Sequence, residues 1–137
     1  MSPELEYKLF HKYPTIFRQR KLPMTQSAMC FGFECQNGWY NILDNLCQHI
    51  QDYVNENNCG PVEAVQIKEK FGGLRFYITG GDDAIDMFIQ MAEEESYHTC
   101  EYCGTKENVG MTRGWNVTCC ADCHKKFRSE LTWSKNE

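Results

Sequence analysis

Residues 100–124 read CEYCGTKENVGMTRGWNVTCCADCH, and the cysteine spacing in this stretch decides how the chain is built. Cys100 and Cys103 have two residues between them, sixteen residues separate Cys103 from Cys120, and Cys120 and Cys123 again have two between them. Paired cysteines at this separation are the pattern of a structural zinc site, in which four thiolates set tetrahedrally about Zn2+ hold together a segment too short to bury a core. Cys119 and His124 flank the second pair, and each is able to replace a neighbour as ligand.

The residues around the ligands fit the turns that such a site needs. Gly104 follows the first pair, where the chain must bend sharply round the metal. Val109–Thr112 and Trp115–Thr118 read as two short strands joined at Arg113 and Gly114, and the segment after Cys120 has helical character. Cys120 and Cys123 then fall in a first helical turn, whose free amides face the sulfurs. Knuckle, hairpin and helix in that order predict a treble-clef-like module over 99–137. Four thiolates with one divalent ion leave a formal charge of about minus two, and Lys106, Arg113, Lys125, Lys126 and Arg128 lie close in sequence to balance it.

The 137 residues carry a net charge of −5, with 42% hydrophobic and 13% aromatic content, which argues against disorder and against a broad duplex-DNA grip. No apolar run reaches the length of a membrane span, and MSPELEYKLFHKYP has no apolar signal core, so no membrane partner and a reducing cytoplasm are expected. Charge is unevenly distributed. Residues 1–29 hold five basic and two acidic side chains, whereas 82–101 hold seven acidic ones and no lysine or arginine.

Before the zinc module, periodicity predicts an α+β body over 1–98. Pro3–Lys12 reads as a helix with Leu5, Leu9 and Phe10 on one side. A loop follows, with the basic cluster Arg18, Arg20 and Lys21 and a short strand at Met29–Phe33. After Gly38, Trp39, Leu43, Leu46, Ile50 and Tyr53 recur at helical steps. A further helix enters at Asp82 or Asp83, with Ile85, Phe88, Ile89 and Ala92 as its apolar stripe.

Between these helices, VEAVQIKEKFGGLRFYIT over 62–79 alternates as a β-hairpin turning at Gly72 and Gly73. If one face packs on the helices, Lys68, Lys70, Arg75 and Tyr77 emerge together on the other. Three cations and a phenol side by side suit phosphates and a stacked base or sugar, with Trp39, Tyr40 and Trp115 as further stacking walls. The plainer reading has the same side chains solubilising the sheet and pairing with Glu63 or Glu69.

The segments GFECQNGWYNILDNLC, VQIKEKFGGLRFYITGG and CEYCG followed by GW and CADC resemble a family of small bacteriophage and bacterial proteins, IKEKFGGLRFY being the most specific of them. That resemblance implies a phage-type accessory protein with a zinc module; it implies no particular reaction. HNH nucleases share the treble clef but set a catalytic histidine on the hairpin, where this chain has Val109, Met111 and Thr112. Zinc deaminases need His-x-Glu ahead of Pro-Cys-x-x-Cys, which does not occur.

The sequence therefore predicts helices packed on a small antiparallel sheet with an appended zinc module, in a protein that is not an enzyme. Its expected partner is a phosphate-bearing small molecule or single-stranded nucleic acid, in a counter-defence role. The alternative is a protein-directed inhibitor or adaptor that meets a host factor through the acidic helix or the zinc module.

Overall fold

The computed structural model describes every residue from Met1 to Glu137. Helix α1 (Pro3–Lys12) starts at Ser2, whose hydroxyl accepts from the Leu5 amide at 3.4 Å, and Pro3 stands where no amide donor is required. Its buried side carries Leu9 and Phe10.

The segment that reads as loop holds more order than its composition shows. Short 3-10 turns at Arg18–Lys21 and Ala28–Phe31 precede a two-residue strand, β1 (Phe33–Glu34). Met29 belongs to the second turn and not to a strand. Gly32, at φ +69°, reverses the chain there, and the Phe33 amide is taken by the Glu6 carboxylate at 2.6 Å.

Helix α2 (Tyr40–Asn57) follows a turn at Asn37–Trp39, buries Ile42, Leu43, Leu46, Cys47 and Ile50, and ends at Asn58 in the left-handed region. Strands β2 (Glu63–Lys70) and β3 (Gly73–Thr79) form the expected antiparallel hairpin, and β1 adds to β2 in parallel, giving the sheet order β1-β2-β3. A bulge at Val65 interrupts the alternation, so Ala64 is buried together with Ile67, Leu74 and Phe76.

Helix α3 (Asp83–Ser96) is capped by the Asp82 carboxylate, which accepts from the amides of Ala84 and Ile85. It packs on α2 and runs along β3. Two amides on the outer side of β3 are bonded to it: Leu74 donates to the Ser96 hydroxyl at 2.9 Å, and Phe76 to the Glu93 carboxylate at 3.3 Å. Twenty-two buried residues make one core from α1, α2, α3, the sheet and the segments between them, which add Tyr13, Ile16, Phe17, Met29 and Trp39.

The rest of the chain is a second, smaller unit. After the knuckle at Cys100–Gly104 come β4 (Val109–Thr112), β5 (Thr118–Cys120), α4 (Ala121–Phe127) and β6 (Trp133–Lys135), in the antiparallel sheet order β5-β4-β6. This is the treble-clef-like order, with β6 as an added edge strand. The second strand lies later than its alternation implied: Trp115 falls in the connecting loop, because the Thr112 hydroxyl donates to the Trp115 carbonyl and accepts from the Val117 amide.

Polar contacts join the two units closely. The Gly38 amide donates to the Glu101 carbonyl at 2.7 Å, the Trp39 indole to the Thr99 carbonyl at 3.1 Å, and the Gln36 amide to the Glu101 carboxylate at 3.0 Å. No helix is long and apolar enough to cross a membrane.

Candidate functional site

The four cysteines singled out by spacing converge. The sulfurs of Cys100, Cys103, Cys120 and Cys123 all lie within 4.8 Å of one another, and those of Cys103 and Cys120 are 3.8 Å apart. A zinc–thiolate tetrahedron with bonds of about 2.3 Å has edges of about 3.8 Å, so the donor set fits such an ion. The knuckle supplies the first pair. The second comes from the end of β5 and the first turn of α4, where the Cys123 amide donates to the Cys120 sulfur at 3.4 Å.

Cys119 and His124, the two alternative ligands, are directed elsewhere. Cys119 is fully buried and outside the cluster, and burial pushes its thiol up to about 12. The His124 ring lies near the Leu131 carbonyl at 2.7 Å and stacks on Trp133. Among the ligands, burial opposes ionisation of Cys100, but the amides of Cys103, Cys120 and Tyr102 favour its thiolate and its pKa is lowered. Cys103 and Cys123 are pushed up, chiefly by burial.

Only six buried residues form the core of this unit, four of them cysteines at or beside the cluster and two of them valines. Apolar area that small does not hold a fold by itself. An ion held by the four sulfurs would supply the missing cohesion, and a tetrahedron filled by cysteine alone would make its part structural.

Beside the cysteine cluster's unit lies a groove of about 230 Å³, walled on one side by Lys68, Glu69, Lys70 and Phe71 of the hairpin and on the other by Gly114, Trp115 and Asn116 of the β4–β5 loop. The structure thus brings three of the seven expected ligand-binding side chains, Lys68, Lys70 and Trp115, into one place. Lys68 and Arg75 are paired across the hairpin and Tyr77 stands opposite Gln66, so these side chains share a face. Arg75, however, turns its guanidinium to the Leu74 carbonyl at 2.8 Å and the Tyr97 hydroxyl at 3.2 Å. Glu63, a proposed partner for these cations, is bound to Arg18 instead.

Two aromatic positions require correction. Trp39 is 0% exposed and its indole is spent on the Thr99 carbonyl, so it is core and offers no stacking wall. Tyr40 is half-buried against the same core and lies outside the groove.

The residue missed by sequence reasoning is Phe71. The hairpin turns on Phe71 and Gly72, at φ +54° and +84°, and not on Gly72 and Gly73. Gly73 is strand; it is needed because a Cβ there would lie 2.3 Å from the Tyr97 ring. Phe71 is 66% exposed and Trp115 63%, and the Lys70 ammonium lies 5.7 Å from the Phe71 ring. A bulky aromatic in the left-handed region costs about 1–2 kcal/mol relative to glycine. An aromatic directly ahead of a glycine at a hairpin tip is the signal that could have found it.

No family model, no curated protein and no solved structure matches the chain.

Proposed function

We propose that this is a non-enzymatic, zinc-stapled binding protein that holds a phosphate-bearing ligand, a nucleotide or a short single strand, in the groove between the hairpin tip and the β4–β5 loop. The observation that carries this reading is Phe71. Its ring is held at positive φ and left in solvent opposite Trp115, an arrangement that serves neither the backbone nor the core. Two exposed rings flanking two lysines supply what a phosphorylated aromatic ligand needs: faces to stack on and cations for the charge.

The ion in this reading is zinc, chosen for its preference for four-thiolate tetrahedra. With all four positions filled by cysteine, no site remains for an activated water, which supports binding over hydrolysis. A phage-type counter-defence role, in which the ligand is a host nucleotide signal, follows from the resemblance of the hairpin and cysteine segments. Thiolate ligands need a reducing compartment, so the cytoplasm is the corresponding location. The alternative is a protein-directed inhibitor or adaptor that covers a basic host surface through the acidic helix, α3, or through the zinc module.

Calorimetric titration with ATP and with a short oligothymidine tests the proposal. Lys68→Ala with Lys70→Ala should weaken binding at least about tenfold, and for the oligonucleotide should lower the salt slope by about one per lysine removed. Trp115→Ala should weaken both ligands at any salt. Unchanged affinity in a combined Lys68, Lys70 and Trp115 alanine variant would remove the groove from consideration.

A further inference from the structure

Helices α2 and α3 leave a second groove between them, of about 290 Å³, on the side of α3 that does not serve the sheet. Its floor is apolar, built from Ile42, Leu46, Phe88 and Ala92. Met91 forms part of its rim and Met87 stands one helical turn before it; they are 65% and 61% exposed. One exposed apolar side chain on a surface needs no explanation. Two flexible thioethers in succession beside an apolar trough form a continuous surface that the fold leaves uncovered.

Asn45, His49 and Glu95 complete the lining, Glu95 being its one acid, and the lysine, arginine and carboxylate charge carried by the two helices themselves has one sign. α2 and α3 together hold eight acidic residues and no lysine or arginine. Some are engaged within the chain: Lys106 pairs with Glu95 at 2.6 Å, Lys12 with Asp44 at 3.0 Å, and Glu94 lies 3.4 Å from His98. The others have no cationic partner at contact distance, so the helix pair keeps a net negative field around an apolar floor.

Shape selects the kind of occupant. Ile42 to His49 is a separation of seven positions along α2, about 10 Å of helical rise, which matches the span of anchors at i, i+3 or i+4 and i+7 on an approaching helix. An extended segment would need a free strand edge, and this groove is walled only by helices. We infer that the α2–α3 groove docks a basic amphipathic helix of a partner protein, whose apolar stripe lies on Phe88 and the two methionines and whose lysines or arginines face the acids of both helices. Methionine side chains repack round different anchors, so the surface accepts a class of such helices. This inference does not rest on the phosphate-ligand reading.

The test uses the full chain labelled at its methionine methyl carbons, titrated with a designed leucine–lysine peptide whose leucines repeat at i, i+3, i+4 and i+7. The expected result is saturation at one peptide per chain, with the Met87 and Met91 signals moving and the buried Met29 signal fixed. Met111, whose side chain lies against Gly72 at the hairpin tip, should also stay fixed and so separates the two regions in one spectrum. Met87→Gln with Met91→Gln should weaken the peptide about tenfold or more while leaving the melting temperature of the free protein unchanged. Three outcomes would overturn the inference: equal affinity for a scrambled peptide of the same composition, shifts spread evenly over all methionines, or movement of Met87 and Met91 with protein concentration alone, which would make a second copy the occupant.

Discussion

The Thr118 hydroxyl donates to the Gly72 carbonyl at 2.5 Å, joining the tip of the body's hairpin to the strand that delivers Cys120 to the metal cluster. Both residues are buried, so the bond is made away from water. The second groove wall, Trp115, belongs to the loop that leads into this strand, and the position of Lys70 and Phe71 relative to it depends on the same contact.

Thr118→Val keeps the volume and removes the donor. It should lower unfolding free energy by about 1–3 kcal/mol, read from the denaturant midpoint at constant slope. It should also weaken any ligand that spans the groove, since the walls lose their common anchor.

Elemental analysis of reduced protein should find one zinc per chain. Cys100→Ala, Cys120→Ala and Cys123→Ala should each abolish stoichiometric binding, whereas Cys119→Ala and His124→Ala should keep it, because those side chains lie outside the sulfur cluster. Chelation should unfold residues 99–137 before the body, visible as loss of amide protection confined to that unit.

Gly38→Ala places a methyl group 2.1 Å from the Cys100 carbonyl oxygen, a backbone atom that the adjacent ligand holds in place. The expected cost is about 1–3 kcal/mol or more, together with reduced zinc affinity. Gly114→Ala is the contrast: nothing lies within 4 Å of its added Cβ, so only the φ of +84° opposes it, at about 1–2 kcal/mol and with zinc affinity unchanged.

Phe71→Asn should raise stability while weakening the ligand. Asparagine tolerates the left-handed region far better than phenylalanine, so a gain of roughly 0.5–1 kcal/mol in unfolding free energy is expected. Calorimetry should show the opposite sign for binding, as one stacking face is lost. A Phe71→Asn protein that is both more stable and unimpaired in binding would count against the groove.

Acid should expose the Arg18–Glu63 contact. Two guanidinium bonds, at 2.7 and 2.9 Å, and one from the Gln19 amide at 3.0 Å hold the Glu63 carboxyl down at about 2, below its ordinary 4.5. A depressed carboxyl pKa gives stability that is complete above the unfolded value and is lost as pH falls through the folded one. Between pH 4.5 and about 2 the wild type should therefore lose stability faster than Glu63→Gln. The comparison belongs in chelated protein, following the body's transition, so that protonation of metal-bound thiolates does not contribute.

Much of this architecture was legible because it rests on spacing. The cysteine pairs, the helical recurrence through Leu43, Leu46 and Ile50 and the alternation of Leu74, Phe76 and Ile78 are local patterns, and each forms the element its period implies. What escaped depends on distant partners. The strand at Phe33 exists through its pairing with Ile67, and β6 through the pairing of Trp133 with Thr112. Trp39 has a side chain suited to stacking, but whether it stacks or packs was settled by a carbonyl sixty residues away, at Thr99. The bulge at Val65 and the turn on Phe71 are one-residue displacements that alternation alone does not mark. For the groove, sequence named the lysines and Trp115, and only the fold could show that Arg75 turns away from them.

The bonds from Leu74 to Ser96 and from Phe76 to Glu93 also bear on how the protein behaves when crowded. Outward-facing amides on a border strand are ordinarily an invitation to polymerise with a neighbour's strand. Here a hydroxyl and a carboxylate from the following helix already satisfy two of them, so fibre-like stacking along that border would first have to peel the helix away.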